Sequence, residues 1–166
     1  MVERLRSQAA QGRAPGDTRA DNPAIRDAAE IVARAAADEA AADRARDVYL
    51  TRAMPPMVPD DRIAPLLGPG EHVLSVRQSA VLDRRRPPSG SSGPASLSGD
   101  LYVTSRRLVL VGRLTLAIDL DEIKDAMVSG ERILLVMGDG RGAALGVARP
   151  RQLRVEIATA RAFARS

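Results

Sequence analysis

Between residues 72 and 147, apolar and polar positions alternate with a period of two, the pattern of β-strands that turn one face toward a core. In the stretch 114–120, for example, Leu114, Leu116 and Ile118 alternate with small or polar residues. Short joins rich in Gly, Asp and Ser separate the alternating stretches, which favours antiparallel neighbours, since parallel strands need long crossovers. The pattern predicts seven strands, at residues 72–82, 100–104, 107–111, 114–120, 123–128, 132–137 and 143–147.

Helical patterns occupy the two ends of the chain. Asp21-Asn22-Pro23 is a helix start signal, and an Ala-rich helix is predicted from about residue 23 to about residue 52, before Pro55-Pro56. Its few large apolar residues do not form one stripe, so we expect it to protrude, self-associate or dock on a partner. After Pro150, an apolar stripe of Leu153, Ile157, Ala160 and Ala164, with Phe163 at its margin, predicts a final helix that packs on the sheet.

These elements predict an α+β chain in four parts. Residues 1–20 have the composition of a disordered leader, residues 21–54 form the N-terminal helix, residues 55–65 are a Pro-rich linker, and residues 66–166 form the folded domain. The loop between the first two strands, residues 84–99, begins with three arginines and is long enough to be either functional or disordered.

One motif resembles a known family. The run Gly99-Asp-Leu-Tyr-Val-Thr-Ser-Arg-Arg-Leu-Val-Leu-Val-Gly112, followed by Ile118-Asp-Leu-Asp-Glu-Ile123, is similar to the GRAM and bacterial PH-like families of the pleckstrin-homology superfold. Seven antiparallel strands followed by one helix is also the order of elements in that superfold. The resemblance implies a seven-stranded β-barrel or sandwich capped by the C-terminal helix. It also implies non-catalytic, adaptor-like binding of a protein or peptide, in the groove between the last helix and an adjacent strand, or of an anionic membrane surface.

Composition restricts the chemistry. The chain has 166 residues with no Cys, one His and three aromatic residues, which excludes thiolate metal sites and a cysteine nucleophile. We therefore expect no cofactor, no metal and no enzymatic activity. A small hydrolytic enzyme is the remaining enzymatic alternative, and it would need a pocket around His72 or the acidic cluster. The acidic residues Asp119, Asp121, Glu122 and Asp125 lack the spacing of a calcium loop and are interpreted as solvated turn carboxylates.

Positive charge is concentrated in the second half of the chain, where residues 63–166 hold 15 basic and 10 acidic side chains. An anionic ligand such as a lipid headgroup is therefore expected at Arg84, Arg85 and Arg86, aided by Arg77, because guanidinium groups bind phosphate in bidentate fashion. Arg106 and Arg107 are interpreted as structural, covering apolar surface or pairing with Asp100.

Arginines of the final helix form a second candidate surface. Arg151, Arg154 and Arg161 fall within a narrow arc that could meet an acidic partner. A nucleic-acid-binding accessory role through this helix is an alternative, against which the lack of aromatic residues argues. The sequence has neither a signal peptide nor a transmembrane segment, so we expect a cytoplasmic protein, with the inner face of the membrane as a peripheral contact.

Overall fold

The computed structural model describes residues 23–84 and 96–164. The chain divides into two units, Met1–Ala33 and Arg34–Ser166. In the first unit the described residues are helical and almost all exposed. The expected leader, 1–20, and most of the long loop, 85–95, lie outside the described residues.

The second unit contains the predicted strands and the final helix. The described elements are α1 (Pro23–Tyr49, which begins in the first unit), a 3-10 turn (Ala64–Leu66), β1 (Val73–Arg84), β2 (Ser96–Thr104), β3 (Arg107–Gly112), β4 (Thr115–Asp119), β5 (Ile123–Ser129), β6 (Arg132–Met137), β7 (Gly142–Gly146) and α2 (Pro150–Ala164). The α+β class, the seven antiparallel strands and the helices near both ends are thereby confirmed. None of the helices in the described ranges is long and apolar enough to cross a membrane.

The strands form one antiparallel sheet in the order β4-β3-β2-β1-β7-β6-β5, so β4 and β5 are its edges. A closed barrel would require these two edges to pair, and the expectation of a barrel is therefore wrong. In β5, the backbone N–H of Ala126 donates to Asp125 Oδ1 at 2.7 Å.

β1 lies at the centre of the sheet and carries an irregularity between Arg77 and Ala80. Ser79 has a φ of 56° there, and its N–H donates to Asp100 Oδ1 at 3.2 Å. Such a bulge bends a strand and increases its local twist. Beyond it, β1 pairs with β2 on one side and, from Val81, with β7 on the other.

Two glycines of the family-like motif pair with each other across β2 and β3. Gly99 lies opposite Gly112, and a Cβ on Gly99 would come within 2.4 Å of the carbonyl oxygen of Val111. A Cβ on Gly112 would come within 2.0 Å of the carbonyl oxygen of Ser98. Both positions therefore require glycine, because no side chain fits between backbones this close.

The main core lies between the sheet and α2. It includes the four motif residues that the sequence places in the core, and three residues of the α2 stripe: Leu101, Val103, Leu108, Leu110, Leu153, Ile157 and Ala160. Ala164 and Phe163 are exposed, and Glu156 is buried among the apolar residues of α2.

A second, smaller core covers the opposite face of β1, β2 and β3. The segment before β1 covers this core. Its residue Ile63 is fully buried, and the N–H of Met57 bonds to the carbonyl of Val73 at 2.7 Å. The Tyr102 hydroxyl donates to Asp60 Oδ2 at 2.7 Å. The pKa of Tyr102 is raised to about 12, chiefly because the side chain is buried and next because of this hydrogen bond. Within residues 55–65, expected as a linker, Met57, Asp60, Arg62 and Ile63 thus contact the sheet.

The part of α1 within the second unit also packs on it. Asp38, Ala41, Ala42 and Ala45 are buried at helical spacing. Their small side chains make a contact stripe that a search for large apolar residues overlooks.

Candidate functional site

The turn between β2 and β3, residues Thr104 to Arg107, is held by a buried carboxylate. Glu71 accepts two hydrogen bonds from Arg107, both at 2.9 Å, and one from the Thr104 hydroxyl at 2.7 Å. It also accepts the N–H of Gly68 at 2.8 Å. Burial opposes ionisation of Glu71 and is the largest single effect, but these bonds together outweigh it and lower the pKa of Glu71.

The four turn residues divide between two environments. Thr104 and Arg107 are engaged with Glu71, while Thr104 Oγ1 also accepts the N–H groups of Arg106 at 3.2 Å and Arg107 at 2.9 Å. Ser105 and Arg106 line a pocket instead. The hydrogen bonds made by Glu71 and Thr104 therefore fix the geometry of the turn, while the side chains of its two middle residues face the surface.

The pocket lies between the end of α2, the start of β1 and this turn, and we call it the helix-end pocket. Its volume is about 200 Å³. Its apolar lining includes Met54, Leu74, Ala160 and Phe163, and its polar lining consists of Ser105, Arg106 and Thr159. Thr159 Oγ1 donates its proton to the Val155 carbonyl, so the side-chain donors left in the described lining are those of Ser105 and Arg106.

No general acid or base is found among the described residues that line this pocket. Arg106 is its charged side chain. A pocket of this kind can bind an apolar group and an anion, and the described part of its lining holds no carboxylate or imidazole with which to move a proton.

A second polar cluster joins α2 to β1. Glu156 Oε2 accepts the Ser75 hydroxyl at 2.7 Å, and Glu156 Oε1 accepts Arg77 Nη2 at 2.7 Å and Gln152 Nε2 at 3.0 Å. Glu156 is only 2% exposed, so these donors stabilise a buried carboxylate. The cluster connects the helix to the sheet.

The four arginines predicted to bind an anion have different placements. The guanidinium of Arg77 is paired with Glu156, while Arg84 is exposed at the end of β1, roughly 20 Å farther along the strand. Arg85 and Arg86 lie outside the described residues. The structure therefore does not bring Arg77 and Arg84 together, and the anion site at residues 84–86 stays a prediction.

The three arginines of α2 also differ. Arg151 contacts Glu39 at 2.8 Å and Asp38 at 3.8 Å, so its charge is compensated by α1. Arg154 is exposed, and Arg161 is half-buried with its Nε enclosed. A continuous basic face made of all three is thus interrupted at its first member.

His72 and the acidic residues around Asp121, the remaining candidates, are not among the residues that line the pocket. His72 is exposed, and its backbone N–H bonds to Ser105 Oγ at 3.1 Å. Within the described ranges, no group of three or more His, Asp or Glu side chains is arranged to hold a metal ion, and this applies to the cluster around Asp121.

Sequence reasoning missed the helix-end pocket. The pairing proposed for Arg106 or Arg107 with Asp100 is not found, since Asp100 binds Arg62 and Arg107 binds Glu71. A signal was present in Phe163, the chain's single Phe, which falls at the margin of the helical stripe and is 50% exposed.

Comparison with known proteins gives no family. No family model and no curated protein sequence matches the chain. Among solved structures, the chain is similar to the C-terminal domain of an unknown protein from Leishmania infantum, with 19% identity, a TM-score of 0.44 and coverage of 56% of this chain and 86% of that one. This similarity assigns neither a family nor a function to the chain.

Proposed function

We propose that the chain is a non-catalytic binding module for a protein or peptide partner, and that the helix-end pocket receives one apolar side chain of that partner. The observation that carries the proposal is the pocket itself, with apolar walls and no proton-transferring group in its described lining. Apolar pockets with a few oriented polar groups are the usual form of binding sites.

The size of the pocket favours a side chain over a small-molecule ligand. Its volume of about 200 Å³ lies below the roughly 300 Å³ at which ligand pockets usually begin. Partner anchors in protein interfaces are single aromatic or aliphatic side chains that fill pockets of this kind. Phe163, half exposed at the rim, adds apolar surface for the residues that flank such an anchor.

The two buried carboxylates, Glu71 and Glu156, have structural roles. Glu71 holds the β2–β3 turn through Arg107, and Glu156 holds α2 to β1 through Arg77. Both are closed off from solvent, so neither is placed to act on a bound substrate.

The pleckstrin-homology-like assignment is part of this proposal. Its support is the order of seven antiparallel strands followed by one helix, with the Gly99 to Gly112 motif on β2 and β3. Members of that superfold serve as adaptor-like binding modules, which agrees with a non-catalytic pocket.

Selection of peptides on the full chain tests the proposed function. We expect a random heptapeptide display library to yield peptides with a shared large apolar residue. We expect them to shift the amide resonances of Ser105 and Ala160 in nuclear magnetic resonance titrations. Ala164→Trp, which places an indole at the pocket, should weaken binding at least tenfold. Ala158→Trp, an exposed position on the same helix that does not line the pocket, should leave binding unchanged.

Two results would contradict the proposal. One is a set of selected peptides that binds Ala164→Trp as tightly as the parent chain. The other is failure to select any peptide, together with cosedimentation with phosphatidylserine vesicles that is lost when Arg84, Arg85 and Arg86 are replaced by Ala. That outcome would favour the anionic membrane surface instead.

A further inference from the structure

Arg106 lines the helix-end pocket and has no carboxylate partner among the described residues. Within residues 23–84 and 96–164, no acidic oxygen lies within ion-pair distance of its guanidinium. The neighbouring acid, Glu71, is already bound to Arg107 in bidentate fashion. Among the described residues, Arg106 therefore brings a positive charge without an ion-pair partner to the pocket lining.

Two hydrogen bonds fix the main chain of Arg106. The N–H of Arg106 bonds to Thr104 Oγ1 at 3.2 Å, and its carbonyl accepts the N–H of Leu120 at 2.9 Å. Its guanidinium lies against the turn at Gly68 and Gly70, where added Cβ atoms would come to 3.9 and 4.0 Å from Nη1 and Nη2. The main chain of Arg106 is thus fixed before any partner binds, which limits the ordering that binding requires to its side chain.

Ser105 supplies a second donor beside Arg106. Its Oγ accepts the N–H of His72 at 3.1 Å, and among the described residues its hydroxyl proton has no acceptor. A guanidinium and a hydroxyl next to an apolar pocket match a carboxylate placed next to an apolar side chain.

We propose that the partner is a peptide segment in which a large apolar residue is followed by Asp or Glu. The apolar side chain enters the helix-end pocket, and the carboxylate binds the Arg106 guanidinium and the Ser105 hydroxyl. This proposal rests on the function proposed above and adds the chemistry of the partner to it.

A pair of synthetic peptides tests the carboxylate directly. The probes are Ac-Gly-Ala-Leu-Glu-Ala-Gly-NH2 and the same peptide with Gln in place of Glu, titrated into the full chain at low salt and followed by nuclear magnetic resonance. We expect the Glu peptide to bind about two- to fivefold more tightly, the range of a solvent-exposed ion pair. In Arg106→Gln the two peptides should bind equally. Arg113→Gln, an exposed arginine at the opposite end of β3, is the matched control and should preserve the difference.

The outcomes separate this inference from the proposed function. Equal binding of both peptides at the pocket overturns the carboxylate preference and leaves the binding module standing, as does a preference that persists in Arg106→Gln. Failure of both peptides to shift Ser105 and Ala160, while library-selected peptides without acidic residues do so, also overturns only the inference. Failure of synthetic and selected peptides alike overturns both.

Discussion

At the scale of single residues, Glu71 determines how the β2–β3 turn is built. It is buried, and it collects donors from Arg107, Thr104 and Gly68. Two adjacent arginines of the turn therefore have different roles: Arg107 balances a buried charge, and Arg106 remains at the surface. Because these roles depend on a partner more than 30 positions away, the local sequence Thr-Ser-Arg-Arg does not distinguish them.

Glu71→Gln should lower the free energy of unfolding by about 3 kcal/mol at pH 7, because it leaves the buried side of Arg107 without its counter-charge. Urea denaturation of the full chain measures this. The control is Glu131→Gln, whose side chain is 67% exposed and lies 3.6 Å from Arg34. A surface pair of that kind should change stability by less than about 1 kcal/mol.

The same variant should alter the dependence of stability on pH. The pKa of Glu71 is lower in the folded chain than its ordinary value of 4.5, so its stabilising effect is complete above pH 4.5 and is lost as the pH falls through the folded pKa. The parent chain should therefore lose more stability between pH 5 and pH 3 than Glu71→Gln does. Parallel pH profiles for the two would contradict the assigned role.

At the scale of elements, the beginning of α2 is capped by another helix. Arg149, just before α2, has a φ of 57° and a side chain that cannot accept a hydrogen bond. Asp38 of α1 accepts the N–H groups of Arg151 at 2.8 Å and Gln152 at 3.1 Å. This long-range cap, together with the alanine stripe, explains why α1 packs closely despite its lack of large apolar residues.

Asp38→Ala should lower the free energy of unfolding by about 1 to 2 kcal/mol, the usual effect of losing a helix cap. Hydrogen exchange should show the loss locally, as faster exchange of the Arg151 and Gln152 amides. Asp43→Ala removes an exposed carboxylate from the same helix, whose side chain pairs with Arg46, and serves as the control. If both variants exchange these amides at the parent rate, Asp38 does not cap α2.

At the scale of the whole molecule, the boundary between the two units falls inside α1, at Ala33. Residues of α1 beyond that point belong to the second unit, as do the segment before β1 and all seven strands. A partner or a second copy bound through the N-terminal helix at residues 21–54, which the sequence suggests, stays a prediction.

Two truncations test this boundary. Removal of residues 1–33 should leave the urea midpoint of the remaining chain unchanged. Removal of residues 1–49 should lower the free energy of unfolding by at least about 2 kcal/mol, because it eliminates the Asp38 cap and uncovers the surface under Ala42. Equal stability of the two truncated forms would show that α1 does not contribute to the second unit.

The sequence by itself determined the strands and the final helix, since two-residue alternation and the stripe of Leu153 and Ile157 are local patterns. It also predicted core positions such as Leu101 and Leu110, which are buried. Tertiary structure alone decided that β4 and β5 do not pair with each other, and which arginine meets which carboxylate: Arg77 with Glu156, Arg107 with Glu71, and Arg106 with none among the described residues. The physical reason is the separation in sequence of the residues that interact. Periodicity is a property of neighbouring residues, whereas the partner of a charge and the walls of a pocket come from segments that meet only when the chain has folded.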